Sequence, residues 1–197
     1  IDVSLITQEV KRLCIEANVY LPEDVLEALE KFKKDDKSEL ASATLGKIID
    51  NAKIARDDQV PMCQDTGMVV AFVEVGQDVH VVGGSLEDAI NQGVREGYEE
   101  GFLRKSVVKD PIDRVNTKDN TPAIIHYDIV PGDKLSITIA AKGFGSENMS
   151  RLTMLKPAEG LEGVKEFILE TVELAGPNPC PPTMVGVGIG GTFEKAA

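Results

Sequence analysis

The residues 61–67, Pro61-Met62-Cys63-Gln64-Asp65-Thr66-Gly67, place a thiol, an amide, a carboxylate and a hydroxyl side by side between two residues that break regular structure. A soft ligand or nucleophile thus stands next to hard oxygen groups. The apolar run Met68-Val69-Val70-Ala71-Phe72-Val73 follows at once, so the loop is expected at a strand end, where functional sites are commonly built. Cys180 repeats the arrangement, with Pro179 on one side, Pro181-Pro182 on the other and an apolar run over residues 183–189. Either cysteine alone is explained as a buried core thiol. Two of them in proline-bounded loops beside apolar runs suggest convergent metal ligands, and thiolates suit iron–sulfur clusters, zinc or copper. His80 and His126 would bring a zinc set to four, but both lie in strand-like sequence, where a structural histidine is the simpler account.

Two alternatives belong to other classes. Cys63 with His126 as base would make a cysteine hydrolase, although nothing in the spacing brings the two together. Glycine-rich loops that bind only a partner chain would make a non-catalytic interaction module. Residues 142–148, Lys-Gly-Phe-Gly-Ser-Glu-Asn, allow backbone N–H groups to approach an anion but lack the spacing of a phosphate loop. The glycines at 186, 188, 190 and 191 fall within a strand-like run and not after it, so close packing explains them better than dinucleotide binding.

The elements that must position these groups are read from periodicity. Val3, Ile6, Val10, Leu13 and Ala17 form a helical stripe bordered by Cys14; a second helix is expected from Glu23 onward and a third over residues 38–56. Residues 69–75 read as a buried strand, and Ser85 as the N-cap of a helix over residues 86–102. A polar loop over residues 110–120 reads as an exposed crossing or a cover over a site. Residues 124–130 and 134–140 flank Pro131-Gly132-Asp133 as a hairpin signal. A helix over residues 161–174 stopping at Gly176-Pro177, a short strand over 183–189 and a new helix opening at Phe193 complete the chain. The fold class is mixed α/β: an N-terminal helical region, residues 1–60, followed by an α/β part, residues 61–197, with a small sheet and packed helices, together one domain.

The chain has 197 residues, 42% of them hydrophobic and 27% charged, enough for a substantial core. Its formal charge of −12 argues against a nucleic-acid partner, while a few Arg and Lys focused in a cleft still permit an anionic substrate. The three cysteines, Cys14, Cys63 and Cys180, are odd in number and far apart, which fits a reducing, cytoplasmic setting and not a disulfide framework. No apolar run approaches the ~20 residues that span a bilayer, so no membrane role is expected.

Four separated motifs, MCQDTG at 62–67, LRKSVVKDP at 103–111, KGFGSEN at 142–148 and NPCPPTMVGVGIGGT at 178–192, together resemble the α-type part of the iron–sulfur hydro-lyases, the class I fumarases and L-tartrate dehydratases. The resemblance covers nearly the whole chain. It implies a [4Fe-4S] cluster held by three cysteines, of which Cys63 and Cys180 are two, with one iron left open to the substrate. It also implies that Gln64 and Asp65 lie at the substrate, Asp65 orienting the catalytic base or the substrate hydroxyl. Arg104 would clamp a carboxylate and Gly145 would line the pocket through its backbone. The expected activity is that of the α-subunit of a fumarate hydratase working with a β-subunit in a hetero-oligomer on a small dicarboxylate, with L-tartrate dehydratase as the alternative. The family's third ligand cysteine lies beyond the CPP motif and its catalytic threonine in the β-type part. The chain is therefore expected to be truncated at its C-terminus, inactive alone, with Cys14 a core residue.

Overall fold

Short polar side chains open the helices. Asp2 accepts from the Ser4 amide ahead of α1 (Val3–Val19), Ser38 from Ala41 ahead of α3 (Glu39–Asp58), and Ser85 from Asp88 ahead of α4 (Leu86–Glu100). Between the first two lies α2 (Glu23–Asp35), which starts after Pro22 with acids in its first turn. The computed structural model describes residues 1–197, which divide into two units, Ile1–Lys142 and Gly143–Ala197.

In the first unit, β1 (Met68–Gly76), β2 (Ile124–Val130) and β3 (Leu135–Lys142) form a mixed sheet in the order β2-β1-β3. Alternation along β1 turns Val69, Ala71 and Val73 to one face, where they are buried with Ile6, Val10 and Cys14 of α1 and Ile90, Val94 and Tyr98 of α4. Each Val and Ile side chain among them contributes about 1.5–3 kcal/mol when removed from water. Helices α1 and α4 approach closely because α4 presents Gly93 and Gly97 to α1. A Cβ on Gly93 would sit 2.7 Å from the Thr7 carbonyl oxygen, and one on Gly97 would sit 2.9 Å from the Cys14 Cβ. Helix α1 therefore belongs by packing to the sheet layer, while α2 and α3 share a smaller cluster of Leu29, Leu45 and Ile49.

The hairpin expected around Pro131-Gly132-Asp133 does not form. Both strands are present, but β1 lies between them, parallel to β2 and antiparallel to β3. The most apolar strand takes the centre, where both of its edges are paired and one of its faces is covered. The connection arches over the end of β1: Gly76 N donates to Lys134 O (2.9 Å), Gln77 N to Val130 O (2.8 Å) and Asp78 N to Gly132 O (2.9 Å). Gly76 is required there, because a Cβ would collide with the Gly132 carbonyl.

The second unit carries the four-residue turn α5 (Phe144–Glu147), a 3₁₀ turn (Pro157–Glu159), α6 (Gly160–Ala175) and α7 (Phe193–Ala196). Helix α6 ends at Gly176, φ 52°, as the Gly-Pro pair predicts. Arg151 lies over the Phe167 ring at 5.0 Å and pairs with Glu170 at 3.5 Å. The strand expected over residues 183–189 is not one: the segment pairs with no other strand, and Met184, Val185, Val187 and Ile189 are exposed. An apolar run becomes a strand only where a neighbour completes its hydrogen bonds. The close packing expected of the glycines holds at Gly188 and Gly190, where a Cβ would strike the backbone of Lys195 and Ala196, and not at Gly186 or Gly191, where it would meet nothing within 4 Å.

Candidate functional site

The loop of residues 61–67 is held from three sides. Met62 N donates to Asn18 O at the end of α1 (2.9 Å), and Met62 O accepts from Asn51 Nδ2 of α3 (2.8 Å). The loop's far end continues into β1 through Gly67, whose φ of 61° is the left-handed turn that glycine adopts freely. Within the loop, Gly67 N donates to Asp65 Oδ1 (3.2 Å) and Asp65 N to Cys63 Sγ (3.4 Å), while the Cys63 thiol lies 3.5 Å from Gln64 Oε1. Cys63 and Gln64 are exposed and Asp65 is half-buried, all three carried by a tethered backbone.

Arg104 is set beside this loop by Thr66, a residue only 3% exposed. Thr66 Oγ1 accepts from Arg104 N (2.9 Å) and donates to Arg104 O (3.3 Å), while Thr66 O accepts from the hydroxyl of fully buried Tyr98 (2.7 Å). Burial pushes the Tyr98 hydroxyl up from its ordinary range, which keeps it a donor. The Arg104 side chain is exposed. Its neighbours Lys105 and Arg95 pair with Glu99 and Asp119, whereas Arg104 forms no ion pair in the chain. Ser106 Oγ, two residues on, is buried without a hydrogen-bond partner. The structure thus brings together Cys63, Gln64, Asp65 and Arg104. Thr66 and Asn120, which support them, carry no periodic signal, and Tyr98 continues the α4 stripe of Ile90 and Val94 without any local sign that its hydroxyl reaches Thr66. The cue for Thr66 is its place inside the 62–67 motif, and for Asn120 its place two residues before Pro122.

The other two expected residues lie together in the second unit. Gly145 is in α5, and a methyl group there would sit 3.6 Å from Asn178 O, in the loop that carries Cys180. That contact is ordinary, so Gly145 is not required by space. Cys180 is exposed and has φ 58°, a left-handed conformation that costs a non-glycine residue of order 1–3 kcal/mol and recurs at functional positions. Its N–H donates to Pro177 O (3.2 Å).

Each loop supplies one donor of the kind a thiolate-held cluster uses. Cys63 and Cys180 are free, exposed thiols, and Cys63 Sγ already accepts a backbone N–H, as cluster sulfurs do. Cys14 does not join them: it is 1% exposed in the core of the first unit, and burial pushes its thiol up to about 12. No group of three or more His, Cys, Asp or Glu side chains is placed to hold a metal ion. His126 is engaged elsewhere, stacked on Phe72 with ring centroids 5.3 Å apart, and no hydrogen bond joins it to Cys63. No helix is long and apolar enough to cross a membrane.

Residues 7–197 match the family described as Fumarate hydratase (Fumerase), and the chain belongs to that family, on the α-type side of the iron–sulfur hydro-lyases. A Methanocaldococcus jannaschii protein, provisionally named L(+)-tartrate dehydratase subunit alpha, is 45% identical over 201 residues, covering 97% of this chain and 69% of its own length. Escherichia coli L(+)-tartrate dehydratase subunit alpha is 34% identical in strain O157:H7 and 33% in K12, each alignment covering 99% of this chain and 65% of the relative. The chain spans about two thirds of the length of these relatives.

Proposed function

We propose that the chain is the α-type part of a hydro-lyase that eliminates water from a small hydroxy dicarboxylate, with L(+)-tartrate as substrate and a β-type subunit completing the enzyme. The observation that carries the chemistry is the Thr66 clasp, which sets an exposed guanidinium free of acidic partners beside a loop bearing a thiol, an amide and a carboxylate. The names of the relatives favour tartrate over the fumarate expected from the motifs. The family description keeps fumarate and malate as the second reading.

In this reading Arg104 binds one substrate carboxylate through two parallel N–H···O bonds, which fixes the orientation as well as the position of the dianion. Gln64 hydrogen-bonds the substrate, and Asp65 orients its hydroxyl or the base that takes the proton. Tartrate loses a proton from one carbinol carbon and hydroxide from the other, giving the enol of oxaloacetate and water. Gly145 lines the pocket through its backbone. Cys63 and Cys180 would hold a [4Fe-4S] cluster, which when bound supplies Lewis acidity to the departing hydroxide. Free exposed thiols of this kind persist in a reducing, cytoplasmic setting.

The test is to co-produce the complete α chain with its β-type partner, reconstitute iron and sulfide anaerobically, and compare L-tartrate, malate and fumarate. The expected result is a kcat/KM for L-tartrate at least about tenfold above the others, a discrimination one hydroxyl can supply. Preference for fumarate and malate would install the second reading. A complex without iron that leaves all three substrates unchanged would remove both.

A further inference from the structure

Asn120 closes the polar loop of residues 110–120 and is fully buried, with φ 60°, a left-handed conformation that asparagine adopts more readily than most residues. Its Oδ1 accepts from Ser106 N (2.7 Å) and Val107 N (3.1 Å), and its Nδ2 donates to Gly67 O (3.1 Å). The two N–H donors and the carbonyl fix which end of the amide is which. One planar group therefore joins the segment just after Arg104 to the residue just after Thr66. From the other side, Thr66 holds the Arg104 backbone at both N and O.

The segment bearing Asn120 is itself anchored to α4. Asp119 accepts from Arg95 Nε (3.0 Å) and from Thr121 N and Oγ1, and Asn91 Oδ1 accepts from Ala123 N (2.9 Å). The loop is thus fastened over a rigid helix, and its one fully buried polar side chain points at the two motif loops. A leucine, branched in the same way but without polar atoms, would leave Ser106 N, Val107 N and Gly67 O without this partner.

We propose that Asn120 is a positioning residue that sets the Arg104 guanidinium against the substrate groups of Gln64 and Asp65. The inference rests on the proposed role of Arg104 as the carboxylate clamp. A displacement of about 1 Å at such a clamp costs up to about 10²-fold in rate, which is the scale expected on losing Asn120.

The experiment is a double-mutant cycle in the cluster-loaded complex, with amide hydrogen exchange read in parallel. Asn120→Ala is expected to raise KM and lower kcat/KM by about 10²-fold while the visible absorbance of the cluster is retained. It should speed exchange at Ser106 and Val107 but not along α4. In an Arg104→Ala background the same substitution should change kcat/KM less than twofold, because its effect passes through Arg104. An undiminished effect in that background, or exchange raised throughout α4, would overturn the proposal and leave the Arg104 assignment standing. Arg104→Ala with normal kinetics would overturn both, and that failure is visible in the single variant alone. Should Asn120→Ala not assemble, Thr66→Val against Thr66→Ser reads the same clasp: loss with valine and recovery with serine supports it. Failure of all three variants to assemble would make the network structural and overturn it.

Discussion

The first unit carries four of the candidate residues and the second carries two, and the units hold them in different ways. In Ile1–Lys142, the loop of Cys63, Gln64 and Asp65 and the backbone of Arg104 are fastened to a core in which Val10, Val69, Ile90, Val94 and Tyr98 are sealed from solvent. In Gly143–Ala197, α6 buries Gly163 and nothing else, and Leu161, Leu169, Leu174 and Phe193 are exposed. Cys180 there owes its placement to prolines and to a left-handed backbone rather than to a packed support. A site residue can be fixed by burying its neighbours or by stiffening its own chain. The first route is cooperative and the second local.

The widest test of this contrast is functional. Cys63→Ser and Cys180→Ser, each in the assembled complex, are expected to lose the cluster absorbance and at least about 10²-fold in activity. A Cys180→Ser enzyme that stays brown and active would break the comparison, because only the packed unit would then carry the site.

A smaller effect separates the units by stability. Ile90→Ala, in the sealed layer between α1, α4 and β1, should cost about 2–5 kcal/mol in urea unfolding, whereas Leu169→Ala, 70% exposed on α6, should change it by less than about 0.5 kcal/mol. Gly93→Ala belongs with the first, at about 1–3 kcal/mol, since its methyl group meets the α1 backbone at Thr7 and not a movable side-chain end. Equal losses at Ile90 and Leu169 would erase the difference in packing.

The smallest effect concerns pH. Desolvation opposes ionisation of Asp119, but hydrogen bonds from Thr121 and Arg95 outweigh it and hold the carboxyl at about 2. A folded value below the unfolded one, about 3.9, means that this stabilisation is complete above that range and is lost as pH falls towards 2. Unfolding midpoints measured from pH 5 to pH 2 should therefore fall less steeply for Asp119→Asn than for the unaltered chain. Identical slopes would show that the fastening of the 119–123 segment does not depend on this charge.

Much of this architecture is legible in the residues themselves. The 3.6-residue stripes of α1 and α4, the apolar run of β1, the Ser38 and Ser85 caps and the Gly176 stop are local rules, and each stands where the pattern puts it. The resemblance to the hydro-lyases was equally local, because motif residues keep their order along the chain whatever their distance in space. What local pattern could not supply is pairing. Pro131-Gly132-Asp133 is hairpin chemistry, yet β1 enters between the two strands, because burying Val69, Ala71 and Val73 against α1 and α4 outweighs a short turn's preference. Residues 183–189 have strand composition but no partner, and so form no strand.

Cys63 and Cys180 stand out by their type and their proline-bounded loops, while Gln64, Asp65, Arg104 and Gly145 are candidates through the resemblance of the motifs that carry them. That Arg104 is held at Thr66, and both loops at Asn120, was decided by tertiary structure alone. A buried hydrogen bond between positions 53 residues apart, Asn120 to Gly67, leaves no periodic trace in a single sequence. Only when the helices and strands have packed are its two ends within 3.1 Å of each other.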